Sequence, residues 1–296
     1  MPRYVVKACL ASLLLCGSLR AQQVTSDSWG KLLDAGKVDD AEKLCKSWQS
    51  SGDVVTKTEA LKCLANVALQ RGQILSLQGN DAGGGYLGEG YKPEAVDAAV
   101  AYLDEALKLS PQDISIHKGR LYILETSLRF DDMAKALDQS IQIYQGKRGA
   151  TEWISYSYEI IDKGLYHPAL EILAVLEKYY PDSNEVLGNT GACLMILHED
   201  EKALPYLQRA AAISPNDPID VWNVGQANNH LGNYKTADLW YQKALALPPS
   251  KDEGVPKDMV CLYGKFVDEK LHDKARACTF EERGCEKEDR KACTGH

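Results

Sequence analysis

Between residues 114 and 251, apolar side chains return every three or four positions in stretches broken by short polar turns, a pattern that predicts antiparallel pairs of amphipathic helices. Residues 218–251 show it most clearly. There "DVWNVGQANNHL" predicts one helix, Gly232-Asn233 a break, and "TADLWYQKALAL" a second helix that stops at Pro248-Pro249. The same pattern recurs upstream: Pro181, Pro215 and Pro249 stand 34 residues apart, and Pro111 lies 70 before Pro181, two periods plus two residues. Ala169, Ala203 and Ala237 keep the interval, as do Leu173, Leu207 and Tyr241, Gly191 and Gly225, Ala210 and Ala244, and the large residues Trp153, Leu187 and Val221. Gly225 falls in the middle of a predicted helix, where glycine costs about 1 kcal/mol relative to alanine, so a neighbouring helix is expected to leave no room for a side chain. Ala237 and Ala244 put small residues on one face of the following helix, which suits close packing.

These residues resemble the tetratricopeptide repeat, whose large-small-aromatic first helix, Gly-Tyr turn, Ala-rich second helix and closing Pro are matched by Val221, Gly225, Gly232, Tyr234, Ala237, Tyr241, Ala244 and Pro249. The resemblance covers residues 114–251 as four units, 114–147, 150–183, 184–217 and 218–251; the first keeps Phe130 at the turn but lacks the Gly and the Pro. Upstream, residues 22–113 read as degenerate repeats. Pro93 to Pro111 predicts a second helix, Lys57 to Leu77 its first helix, and residues 79–92 a Gly-rich insertion between them, while residues 22–55, with Gly36, Ala41 and Trp48, form a degenerate opening unit. Residues 252–296 predict a Cys-rich helical cap, because terminal repeats of a stacked array are atypical. Their cysteines resemble those of Sel1-like repeats of secreted bacterial proteins, whose helices are clamped by disulfides. The implied fold is all-α, a right-handed superhelical solenoid of helix-turn-helix repeats.

Arg3 and Lys7 precede an apolar run from Ala8 to Leu19, and small residues lead to Ala21 before Gln22. The run is shorter than the roughly 20 residues that span a bilayer, so residues 1–21 read as a cleaved signal peptide, with no stable membrane span afterwards. That places the product in the periplasm, the cell envelope or the extracellular space, and the lack of any Asn-x-Ser/Thr sequence favours a bacterial envelope. Asp and Glu number 42 against 34 Lys and Arg, a net charge of -8, which removes the phosphate attraction that nucleic-acid binding needs.

Beyond the predicted signal lie Cys45, Cys63, Cys193, Cys261, Cys278, Cys285 and Cys293. In an oxidising compartment they suggest disulfides, and helix placement pairs Cys45 with Cys63, Cys261 with Cys278, and Cys285 with Cys293, leaving Cys193 as a small buried residue. The competing reading is zinc held by Cys278, Cys285, Cys293 and His296, although no Cys-x-x-Cys is present. Gly83, Gly85 and Gly88 match Gly-x-Gly-x-x-Gly, but no strand is predicted before them and no Gly-Lys-Ser/Thr follows, so the insertion reads as a flexible surface loop on which Tyr86 and Tyr91 fold back. The histidines fall at unrelated phases and no Gly-x-Ser-x-Gly occurs. Neither an enzyme, a cofactor nor a resident metal is indicated.

By the family resemblance, first helices line a concave face that holds an extended peptide or a partner helix. At helical spacing the stripe runs through Lys118, Tyr122 and Glu125, then Ile154, Tyr158 and Ile161, then Met195, then Trp222, Gln226 and Asn229; the alternative is that several are packing residues. A clamp for carboxylate tails would present Lys, Arg and Asn, whereas Lys118 stands beside Tyr122 and later units offer Glu185, Ile219 and Trp222. The reading is a non-catalytic scaffold for a protein or peptide, apolar or helical in character. Two rivals stand beside it: an envelope enzyme or enzyme subunit using the Cys/His tail, and a structural spacer.

Overall fold

The computed structural model describes residues 22–79, 85–144, 148–149, 151–247 and 257–293, and it separates into two compact units between residues 148 and 149. The predicted signal segment and His296 lie outside the described residues, as does Pro249. The first unit runs α1 (Gln22–Asp34), α2 (Val38–Gln49), α3 (Val54–Gly72), β1 (Gln73–Gly79), β2 (Gly85–Tyr91), α4 (Pro93–Leu109), α5 (Ile114–Thr126) and α6 (Phe130–Tyr144). The second runs α7 (Thr151–Asp162), α8 (Tyr166–Tyr179), α9 (Asn184–Ile196), α10 (Asp200–Ile213), α11 (Pro218–His230), α12 (Tyr234–Ala246), α13 (Lys257–Phe266) and α14 (Lys274–Gly284). Successive helices pack pairwise, α3 on α4, α5 on α6, α7 on α8, α9 on α10, α11 on α12 and α13 on α14, in the manner of tetratricopeptide helix-turn-helix repeats.

Local chemistry explains where these helices start and stop. Several first helices open on an acidic or hydroxyl cap: the Thr56 N–H donates to Asp53 at 2.8 Å, Ser115 N–H to Asp113 at 2.9 Å, and Ile219 N–H to Asp217 at 2.8 Å. They close on a left-handed residue at φ +73° for Gly164, 60° for His198 and +77° for Gly232, three positions spaced by the 34-residue period. At each, one N–H returns to the carbonyl three residues back and the next reaches five back, as in Gly232 to Asn229 (3.0 Å) and Asn233 to Asn228 (2.8 Å). The side chains of His198 and Leu128 (φ 58°) occupy this position at a cost that glycine avoids.

The third helix departs from the sequence expectation. It ends at Gly72 rather than near Leu77, and residues 73–79 and 85–91 pair as two antiparallel strands, with Gln73 opposite Tyr91 and Gly79 opposite Gly85. The reason lies at the crossing of α3 and α4, where a Cβ on Gly72 would sit 2.1 Å from that of Ala95 and the Lys92 N–H donates to the Gly72 carbonyl at 2.8 Å. The hairpin is thus inserted into the turn of a helix pair. Gly85 and Gly88 belong to its second strand, so they do not form a phosphate loop, and Gly83 lies outside the described residues. Tyr91 does fold back, against the core that α3, α4 and α5 share.

In the second unit an aromatic cluster joins the last repeat to the cap. Tyr241 lies 4.3 Å from Trp222 and 5.0 Å from Phe266 between ring centroids, and Tyr263 lies 4.7 Å from Phe280. The buried Tyr263 hydroxyl donates to Asp238 at 2.6 Å, fastening α13 to α12. Disulfides join Cys45 to Cys63, as expected, and Cys261 to Cys285 and Cys278 to Cys293, which corrects the other two expected pairings. Antiparallel α13 and α14 turn near His272, so Cys285 at the end of α14 returns to Cys261, with Cα atoms 4.7 Å apart. Cys278 is then met by the returning tail, which the Ala292 N–H anchors on Glu281 at 2.8 Å.

Candidate functional site

Within the second unit the first helices α7, α9 and α11 form a row, with α9 in contact with both of the others. Each turns its large apolar residues inward: Trp153, Ile154 and Ile160; Val186, Leu187 and Leu194; Val221, Trp222 and Val224. Positions spaced by four, three and four residues stay outside this packing, which gives Thr151, Ser155, Tyr158 and Asp162 on α7, Glu185, Asn189, Ala192 and Ile196 on α9, and Ile219, Asn223, Gln226 and His230 on α11. Tyr158, Ile196 and Ile219 are 41%, 48% and 56% exposed, so the face carries aromatic and aliphatic surface among amides and acids.

The polar groups of this face are tied together across the helices. Asp220, at the start of α11, accepts the Asn184 amide from α9 at 3.0 Å, and it lies so close over α9 that a Cβ on Gly188 would be 3.1 Å from its Oδ1. Burial pushes the Asp220 carboxyl above its ordinary range, a hydrogen bond from Asn184 opposes this, and the charges of Asp217 and Glu185 add to it. Burial likewise raises the Tyr158 hydroxyl, with a hydrogen bond from Asn189 acting against it and the carboxylates of Glu185 and Asp220 reinforcing it. One tyrosine, two amides and two carboxylates from three helices therefore share one field.

The expected stripe is only partly placed on this face. Tyr158 and Gln226 lie on it, Tyr158 well exposed and Gln226 half-buried. Ile154, Met195 and Trp222 do not: at 2%, 7% and 4% exposure they are packing residues, and the Trp222 ring is tilted against Tyr241. Asn229 is half-buried beside the Tyr241 hydroxyl, which burial pushes far up. In the first unit Tyr122 is 50% exposed and Lys118 half-buried on α5. The face is thus rotated by about one residue from the stripe read at helical spacing, toward Glu185, Asn189, Ile196 and Ile219. Buried Asp220 beneath it had no periodic signal, since its role depends on the neighbouring helix.

Among the described residues, the three cysteines of the alternative zinc site are taken up in disulfides. Cys278 and Cys285 belong to different disulfides, and although Glu282 approaches Cys278 and Cys293, with their ligand atoms within 4.8 Å of one another, those two sulfurs are bonded to each other. Cys193 is buried and its thiol is pushed up to about 12, which keeps it protonated and unreactive at neutral pH. On the second-helix side a cavity of about 340 Å³ opens between α8, α9 and α10, lined by Leu170, Ala174, Thr190, Leu194 and Tyr206, with the Glu199–Lys202 ion pair beside it. No helix among the described residues is long and apolar enough to cross a membrane.

No protein-family model and no curated protein matches the chain. Among solved structures it is similar to the C-terminal part of a TPR repeat-containing protein from Cytophaga hutchinsonii, with TM-score 0.50 at 11% identity over 91% of this chain and 100% of that one. It is also similar to PilF of Pseudomonas aeruginosa (TM-score 0.41, 15% identity, 64% and 82% covered) and to a tetratricopeptide repeat protein from Parabacteroides merdae (TM-score 0.38, 13% identity, 92% and 98% covered). The first likeness, with the pairwise helix packing, makes the fold that of a tetratricopeptide repeat protein.

Proposed function

We propose that this chain is a non-catalytic scaffold of the periplasm or cell envelope that holds a segment of a partner protein on the α7–α9–α11 face. The observation that carries this reading is the combination on one exposed face of a half-open tyrosine, two exposed isoleucines and half-buried amides, a composition suited to recognising side chains and peptide backbone together. The extracytoplasmic setting draws support from the signal-like residues 1–21 and from three disulfides, which persist in oxidising compartments. A photo-crosslinking amino acid placed at Tyr158 in cells tests the face, with Leu239, 69% exposed on the second helix α12, as the comparison position. Adducts of defined mass from position 158 and not from 239 are expected. Equal labelling, or none, would favour a structural spacer. Mass spectrometry of the product's N-terminus tests the setting, with Gln22 as the expected first residue.

A further inference from the structure

Basic residues, unlike acidic ones, are segregated between the two kinds of helix in the second unit. On α7, α9 and α11 there is no Lys or Arg, while Asp162, Glu185 and Asp220 are present and Asp217 caps α11. Every Lys and Arg on the repeat helices of this unit stands on α8, α10 or α12, as Lys178, Lys202, Arg209, Lys235 and Lys243. Several are engaged there: Arg209 with Glu177 at 2.9 Å and the Pro181 carbonyl at 2.9 Å, Lys202 with Glu199 at 2.5 Å, and Lys243 over the Trp240 ring. The carboxylates of the first-helix face thus have no Lys or Arg on their own helices, and the His230 ring on α11 is turned to Asp200 at 2.7 Å.

Resting on the scaffold reading, we infer that the partner segment is cationic: its Lys or Arg side chains lie against Glu185 and Asp220, and its apolar side chains lie against Tyr158, Ile196 and Ile219. Charge complementarity selects this occupant over a purely apolar one, because an apolar segment would cover Glu185 and bury Asp220 further without compensation. Asp220 supplies an independent sign. It is 7% exposed and burial pushes its carboxyl above the ordinary range; the Asn184 amide and the N-terminal turn of α11 oppose that cost, and no Lys or Arg stands on its own helix to share it. An incoming guanidinium or ammonium would supply the missing counter-charge and a charge-assisted hydrogen bond.

The test uses the purified chain and three fluorescein-labelled twelve-residue peptides of Leu and Ala carrying Arg, Gln or Glu at every third position, followed by fluorescence anisotropy at low and high salt. The Arg peptide is expected to bind at least about tenfold more tightly than the Gln peptide, and more weakly as salt rises. Glu185→Gln should weaken it about fivefold and Asp220→Asn about tenfold, with the thermal midpoint of Asp220→Asn unchanged or raised. Glu201→Gln, an exposed acid on α10, should change nothing. Equal loss with Glu201→Gln would reveal mere attraction to an acidic chain and overturn the inference. Equal binding of the Gln and Arg peptides, abolished by Tyr158→Ala, would also overturn it and leave the scaffold reading standing. Binding of none of the peptides would count against both. Should Asp220→Asn fail to fold, exposed Glu185→Gln still decides.

Discussion

Replacing Gly225 with alanine sets two effects of known size against each other. In an exposed helix the change is worth about 1 kcal/mol of stabilisation, because alanine restricts the unfolded chain and lacks glycine's helix penalty. In α11 the new methyl would meet the Tyr241 ring at 2.6 and 2.7 Å, with a third ring carbon at 3.2 Å, where carbons rest about 3.5–4.0 Å apart. Something must therefore move by close to an ångström. The ring has nowhere to go: Tyr241 is 3% exposed and held between Trp222 at 4.3 Å, Phe266 at 5.0 Å and Tyr263 at 6.0 Å. Overpacking of this kind costs roughly 1–3 kcal/mol, and with the ring enclosed the upper part of that range, about 2–3 kcal/mol, applies, so after the propensity gain the net expectation is a loss of about 1–2 kcal/mol. Urea denaturation followed by helical circular dichroism measures it, with Gly30→Ala in α1, which meets nothing within 4 Å, as the control expected to gain up to about 1 kcal/mol. In the Tyr241→Leu background, where the ring is gone, Gly225→Ala should cost less than in the parent chain. A Gly225→Ala protein as stable as its parent, or an undiminished cost in that background, would refute the argument that helix contact selected this glycine.

Further expectations follow from the turns, the cap and one buried histidine. His198→Gly relieves a left-handed side chain at φ 60° and should stabilise the chain by about 1 kcal/mol; an unchanged thermal midpoint would contradict the assigned strain. Peptide mapping without reduction should recover Cys261 joined to Cys285 and Cys278 to Cys293, and recovery of Cys261 with Cys278 would refute the cap geometry. Replacing Cys278 and Cys293 together by alanine opens a loop with a sequence separation of 15 and should cost about 3 kcal/mol on the chain-entropy account, read from the shift in urea midpoint. His117 is buried, with Ser140 at 2.9 Å on Nδ1 and Nε2–H donating to the Pro111 carbonyl at 3.0 Å. Burial is the largest influence on it and lowers its pKa below 6.5, so the unfolded chain takes up this proton first, and stability present above pH 6.5 is lost as pH falls toward the folded pKa. Urea midpoints from pH 7.5 to 5.5 should fall less steeply in His117→Gln, and parallel profiles would count against the assignment.

The parts of this molecule legible in its sequence are those set by one helix touching its immediate partner. Gly191 and Gly225 recur at the 34-residue period because Leu207 and Tyr241, themselves one period apart, press on them from the paired helix. A relation between neighbours leaves a periodic trace. The left-handed turn is legible through Gly164 and Gly232 and hidden at His198 and Leu128, where the backbone keeps the geometry without the residue that announces it. The hairpin after Gly72 was masked because Ile74, Leu75 and Leu77 continue a helical spacing as readily as a strand; the decisive fact, the close approach of Gly72 to Ala95, joins residues 23 positions apart. The same limit explains the cap. Cysteine spacing favours sequential pairing, while an antiparallel turn near His272 brings together Cys261, 11 residues before it, and Cys285, 13 residues after it. For the candidate face, helical periodicity located Tyr158 and Gln226 but could not separate them from Trp222, since one helix in a stack has two buried flanks, one against its own partner and one against the next pair. Asp220 is the extreme case. Nothing within α11 distinguishes it from any acid in a first helical turn, and its meaning as a buried, under-compensated charge comes wholly from Gly188 and Asn184 on the helix beside it.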